Sequence, residues 1–274
     1  MTSCTIRVML AMFFAALVQI VHSTNATNRG SYNIRAHEAL SEAAKIGAMD
    51  NLNIRGDLQN KDGLEALFIA AAKGDQREIE RLIQEGVDVN GQKKNGWKTG
   101  WTALFYAAAS GRDNSAVIEL LLKHKANINA KDVNGRTALL VAMEPHDTRA
   151  NIKALIDGGA DVSVQDFGGD TPLIEAAGLG DAVVVKMLLE KGANPDAKQN
   201  QGRTALMTAA ALSHAEVVKA LLDGGADPHK IDNEGNTALA LLERVIKEDR
   251  ENNIGQNKYV RNNRAAIVRM LAKK

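Results

Sequence analysis

The stretch GGDTPLIEAAGLGDAVVVKMLLEKGANPDAK, Gly168 to Lys198, decides how this chain folds. Asp170-Thr171-Pro172 opens a helix. The Thr171 hydroxyl can accept a first-turn amide, and Pro172 suits the first helical position, where its missing N–H costs nothing. Leu173, Ala176 and Ala177 then fall at helical spacing, and the alanines are small enough for another helix to approach closely. Gly180 can take the left-handed conformation that ends the helix. A second helix, Ala182 to Glu190, carries apolar Val183, Val184, Met187, Leu188 and Leu189 and stops at Gly192. Ala193-Asn194-Pro195-Asp196 leads on to a turn at Gly202. A helical hairpin this small cannot bury its own apolar face, so it requires copies on either side.

The copies are present. TALFYAAASG (Thr102 to Gly111), TALLVAMEPH (Thr137 to His146), TALMTAAALS (Thr204 to Ser213) and TALALL (Thr237 to Leu242) repeat the first helix. Gly135, Gly169, Gly202 and Gly235 recur at intervals of 34, 33 and 33 residues, while Gly63 to Gly100 spans 37 and Gly100 to Gly135 spans 35. The second helices end in GVDVN (Gly86 to Asn90), GADVS (Gly159 to Ser163), GANPD (Gly192 to Asp196) and GADPH (Gly225 to His229). From about Gly63 onward this phase resembles the ankyrin-repeat family, whose period is about 33 residues with a T-P-L-H-x-A signature.

The resemblance implies an all-α fold: an ankyrin-repeat solenoid of stacked helix-turn-helix units joined by β-hairpin-like loops. The signature carries over unevenly. Thr102, Thr137, Thr171, Thr204 and Thr237 match its Thr, and Pro172 alone matches its Pro. Its His position holds Phe68, Phe105, Leu140, Ile174, Met207 and Ala240, so apolar packing must replace any polar network there. The expected organisation is an N-terminal cap at 36–62, five repeats at 63–234 and a C-terminal cap at 235–274. The aromatic content of 4% suits helices that pack through Ala, Leu and Val.

Residues Met1 to Ser23 differ from the rest. Arg7 precedes VMLAMFFAALVQIV, Val8 to Val21, a run of 14 residues that is apolar except for Gln19. A positive start followed by an apolar run too short to span a bilayer predicts a signal peptide at 1–23, cleaved after Ser23 or Ala26. A retained membrane anchor is the alternative. The polar stretch at 24–35 is expected to be a disordered leader. Cys4 is the sole cysteine, so cleavage would leave no disulfide and no thiolate metal site. Net charge is +1, with 34 Lys and Arg against 33 Asp and Glu, which gives no electrostatic case for nucleic acid.

Three segments break the regular period. GQKKNGWKTGW, Gly91 to Trp101, lengthens one hairpin and carries Trp97 and Trp101, with Lys93, Lys94 and Lys98 beside them. Arg112-Asp113-Asn114-Ser115 lengthens the turn inside the next repeat. Past Leu242, ERVIKEDRE prolongs a first helix, and a last helix from Tyr259 to Leu271 bears Arg261, Arg264 and Arg269, followed by Lys273 and Lys274. That basic face is either a solvated cap or a docking face for an acidic partner.

No catalytic motif is present: the chain lacks G-x-S-x-G, G-x-x-x-x-G-K-[ST], H-E-x-x-H and G-x-G-x-x-G. His22, His37, His124, His146, His214 and His229 have no zinc-binding spacing, and His214 and His229 sit where surface imidazoles are ordinary. No enzyme activity, cofactor or metal site is therefore expected. By resemblance, such stacks bind proteins along the concave surface of hairpin tips and first helices. The candidate partner-binding residues are Trp97, Lys98, Trp101, Tyr106, Arg136, Phe167, Asp170 and Arg203. The indoles of Trp97 and Trp101 are expected to face water on a loop, unless one folds back over its own helices. The expected role is a non-catalytic module that scaffolds, shields or inhibits one or more partner proteins in the periplasm or outside the cell. A membrane-anchored structural protein of the envelope is the alternative. The chain itself is expected to be monomeric, with no nucleic-acid partner and no membrane contact after cleavage.

Overall fold

The computed structural model describes residues 63–96, 98–143, 149–251 and 258–272, all within a unit that runs from Met49 to Lys274. The signal segment, leader and N-terminal cap expected at 1–62 lie outside the described residues, as do Trp97 and residues 144–148. Among the described residues there are twelve helices and no strand. They pair as α1 (Gly63–Lys73) with α2 (Gln76–Gln84), α3 (Ala103–Ala108) with α4 (Ser115–Lys123), and α5 (Ala138–Ala142) with α6 (Arg149–Asp157). The series continues with α7 (Pro172–Leu179) and α8 (Ala182–Glu190), α9 (Ala205–Ala211) and α10 (Ala215–Asp223), and α11 (Ala238–Glu251) and α12 (Lys258–Leu271).

Each first helix packs on the first helices beside it, and each second helix on its neighbouring second helices. Small residues permit this. Ala70, Ala71, Ala107, Ala108, Ala176, Ala177, Ala209 and Ala210 are all buried at the first-helix layer. The residues at the signature His position (Phe68, Phe105, Leu140, Ile174 and Met207) are buried as well, so apolar packing does replace polar contacts there. Full burial of side chains of this size contributes about 1.5–3 kcal/mol each, and most of that is gained between repeats rather than within one.

Local chemistry sets the helix ends. Thr171 Oγ1 accepts from Ile174 N at 3.2 Å, Pro172 occupies the first turn, and Gly180 ends α7 with φ of 75°. Thr204 and Thr237 cap α9 and α11 in the same way. Thr102 and Thr137 occupy the equivalent position without a side-chain cap, and Thr137 Oγ1 is buried with no hydrogen-bond partner among the described residues. After the second helices, Asp88, Asn127, Asp161, Asn194 and Asp227 each accept an amide two residues on, fixing a tight turn.

Several sequence expectations shift in detail. In α8 it is Val185 that faces inward and Val183 that faces water, because burial follows the 184, 185, 188 stripe. Gly63 begins a helix rather than sitting in a hairpin turn, so the hairpin register starts at Gly100. His214 is no ordinary surface imidazole: its Nε2 lies 3.2 Å from Gly178 O in the preceding helical pair. Asn114 performs the same service at the longer turn. It is buried, donates to Ala71 O at 2.9 Å, and its backbone N donates to Asn151 Oδ1 at 2.7 Å. At the last helix, Arg264 turns inward to Ser213 Oγ (3.0 Å) and Asp249 Oδ2 (2.6 Å), while Arg261 and Arg269 remain exposed. That arrangement fits a latch on the final helical pair better than a uniform basic face.

Candidate partner-binding surface

The hairpin fingers between helical pairs are built on one repeated turn. Asp132 N donates to Arg136 O and Gly135 N to Asp132 O. The same two bonds recur at Asp166, Gly169 and Asp170, at Gln199, Gly202 and Arg203, and at Asp232, Gly235 and Asn236. Where the first residue is Asp, its Oδ1 also accepts two amides: Asn134 and Arg136, Gly168 and Asp170, Glu234 and Asn236. Each tip then donates one backbone N–H to the preceding finger: Val133 to Thr99 O, Phe167 to Asn134 O, Asn200 to Gly168 O and Asn233 to Gln201 O. At the tips the Asn200 and Asn233 side chains turn back to donate to Phe167 O and Asn200 O at 2.8 and 2.9 Å, whereas Val133 and Phe167 stay exposed.

The structure separates the candidate residues that sequence had grouped. Trp101 is 2% exposed and belongs to the core, which corrects the expectation of an exposed indole. Its Nε1 donates to Asp132 Oδ2 at 3.3 Å, and its ring stacks on Phe105 at 5.7 Å and meets Tyr106 edge-on at 5.3 Å. A ring of that area gains more from folding over its own helices than a loop position can withhold. Tyr106 is half-buried and stacks on Phe68 at 4.8 Å. Lys98 Nζ lies 4.6 Å from the centroids of both Trp101 and Tyr106, so its charge is held against the aromatic pair. Trp97 lies outside the described residues.

Arg136 is likewise tied into its own finger, with Nε and Nη2 donating to Asp132 Oδ2 at 3.0 and 2.9 Å. Its role is to neutralise the turn aspartate. Arg203 occupies the same register two fingers on, but Gln199 replaces the aspartate, and its guanidinium has no ion-pair partner among the described residues. Asp170 holds that register in the intervening finger. Burial, with the Asp166 carboxylate beside it, pushes the Asp170 pKa up to about 6.

Phe167 stands apart. It is 74% exposed at the tip, next to Val133 at 53% on the preceding finger. The Phe167 ring lies across Gly135, where a Cβ would come within 2.8 Å of it; Gly135, with φ of 78°, therefore leaves room for the ring as well as for the turn. One side of the ring is seated on backbone and the other faces solvent. Val133 was missed by sequence reasoning, although its position one residue after the turn aspartate, matching Phe167, could have signalled it. Among the described residues no group of three His, Cys, Asp or Glu could hold a metal ion, and no helix is long and apolar enough to cross a membrane.

A family model described as ankyrin repeats (3 copies) matches residues 36–132, 94–166, 109–199 and 184–242. The chain is 32% identical over 139 residues to the B-cell lymphoma 3 protein homolog of Mus musculus, covering 51% of this chain and 29% of that protein. It is 32% identical over 121 residues to ankyrin repeat and SOCS box protein 6 of Mus musculus, covering 44% of this chain and 28% of that one. The match thus spans under a third of the length of each of these relatives. Among solved structures, it is similar to a chain from the complex of a predatory endopeptidase of Bdellovibrio bacteriovorus with an immunity protein. That likeness has a TM-score of 0.60 at 29% identity and covers 76% of this chain and 97% of the other.

Proposed function

The chain belongs to the ankyrin-repeat family, and from that premise we propose that it is a non-catalytic binding module that shields or inhibits an exported partner protein through its finger tips. The observation that carries this reading is the exposed Phe167 beside Val133 on two adjacent tips, in a stack whose other aromatic side chains on the first helices are buried or half-buried. Exposed aromatics on rigid supports are the residues from which interface hot spots are made. The likeness to a chain of an endopeptidase–immunity protein complex supports a hydrolase of the endopeptidase kind as the partner class. The segment at 1–23 supports export.

Two measurements test this. Periplasmic extract is passed over immobilised wild-type protein and over a Val133→Ser/Phe167→Ala variant, with Glu190→Ala as control, and retained proteins are identified by mass spectrometry. A hydrolase held by wild type and control but lost by the double variant is the expected result; undiminished retention by the double variant refutes the tip surface. N-terminal sequencing of the mature protein should begin near Thr24 or Thr27. An intact Met1 in washed membranes would replace export by a retained anchor.

A further inference from the structure

Resting on that reading of the tips, we propose that the partner presents a basic side chain, arginine or lysine, next to an apolar one, so that the cation sits on Asp170 and Asp166 while the apolar group covers Phe167. The chain contains its own template for such a seat. In the preceding finger the guanidinium of Arg136 lies on Asp132 Oδ2 through two nitrogens. In the last finger the Asn236 amide approaches both oxygens of Asp232, at 3.2 and 3.3 Å. Thus the turn aspartate is met from the position four residues on by a donor. In the finger of Phe167 that position holds a second carboxylate, so the aspartate has no donor side chain of its own.

The geometry keeps the two carboxylates together. Asp166 Oδ1 is fixed by the Gly168 and Asp170 amides at 2.8 and 2.9 Å. Both groups converge over Gly168, where a Cβ would lie 3.0 Å from Asp170 Oδ2 and 3.1 Å from Asp166 Oδ1. Neither forms an ion pair among the described residues, and both remain partly open to solvent. The nearest equivalent cations are unsuited: Arg136 is engaged by Asp132, and Arg203 forms no bridge to Asp170. A partner's guanidinium would supply the missing donors and remove the like-charge repulsion, an interaction stronger than a neutral hydrogen bond. Phe167, one residue from Asp166, would take the neighbouring apolar side chain against its open face. A carboxylate at the same place would meet two negative charges and be rejected, so the pair also excludes acidic partners.

The test uses random peptides displayed on phage and selected against the full chain. Enriched peptides are then titrated, as fluorescent conjugates, against wild type, Asp170→Asn, Asp170→Arg, Phe167→Ala and the Glu190→Ala control. Enrichment of Arg or Lys beside an aromatic or aliphatic residue is expected, with about tenfold or greater weakening by Asp170→Asn, more by Asp170→Arg, and comparable loss by Phe167→Ala. The Asp170 side chain makes no hydrogen bond in the turn, so Asp170→Asn removes charge at constant shape, and its melting curve confirms folding. Peptides that lose affinity with Phe167→Ala but are indifferent to both Asp170 variants overturn the basic-partner inference and leave the tip surface standing. Peptides indifferent to Phe167→Ala as well overturn both. Failure to enrich basic, apolar peptides overturns the inference.

Discussion

Replacing Asp170 by Asn should make this protein more stable, which is the reverse of the usual result for a partly buried polar residue. The Asp170 pKa is raised from 3.8 to about 6, first by burial and then by Asp166. Below about pH 3.8 the carboxyl is protonated in both folded and unfolded chains and contributes nothing. Between 3.8 and about 6 the folded form holds a proton that the unfolded chain releases, so stability falls as pH rises. Above about pH 6 the whole penalty is present. At 1.36 kcal/mol per pH unit the interval corresponds to about 3 kcal/mol, and partial exposure of the group reduces this to about 1–2 kcal/mol. Asp170→Asn keeps the shape and abolishes the ionisation, so it should gain that amount at pH 7.5 and about a third of it at pH 4.5. Urea unfolding followed by circular dichroism at the two pH values measures it. A neutral or destabilising effect at pH 7.5, or an equal gain at both, would refute the argument. The same substitution weakens peptide capture, so stability and binding should move in opposite directions, as at other sites where like charges are held for a ligand.

Other outcomes follow from burial. In a Trp97→Phe background the remaining indole, Trp101, should fluoresce at short wavelength and resist acrylamide, and Trp101→Ala should cost about 3–5 kcal/mol; emission typical of water-exposed indole would contradict its place in the core. Ala176→Glu puts an unpaired charge at a fully buried position and should cost about 3 kcal/mol or more, whereas Glu190→Ala on the exposed face of α8 should change stability by under about 0.5 kcal/mol. Equal melting shifts for the two would show that the helix faces are misassigned. Arg264→Ala should release α12, and hydrogen exchange should show lost protection at 258–271 with α7 to α10 unchanged; unaltered protection of α12 would show that its apolar residues alone hold it.

Sequence alone determined the repeat, because the features that make it are local. Thr before a short apolar run, small residues at helical spacing and a glycine every 33 or 34 residues are constraints on single turns and single helices, and each is legible without its neighbours. The cap at Thr171, the stop at Gly180 and the boundaries of α8 therefore lie where the residues put them. The surface was different. Trp101 and Phe167 are both aromatic and both beside a hairpin glycine, but in different registers, Trp101 directly after Gly100 and Phe167 directly after the turn's Asp166, and neither register by itself reports burial. Only the stack does so: the first finger folds Trp101 down between Phe105, Tyr106 and the next finger's Asp132, whereas Phe167 is lifted onto a tip whose floor is Gly135 of the finger before. The charges are decided within each finger, by turn geometry. Arg136, Asp170 and Arg203 share one register, and whether each is neutralised depends on the residue four places earlier and on how the turn aims both side chains. Exposure of the two rings rests on neighbours 30 or more residues away, Asp132 for Trp101 and Gly135 for Phe167, so it is decided by tertiary packing, while helix ends and period are decided by the chain itself.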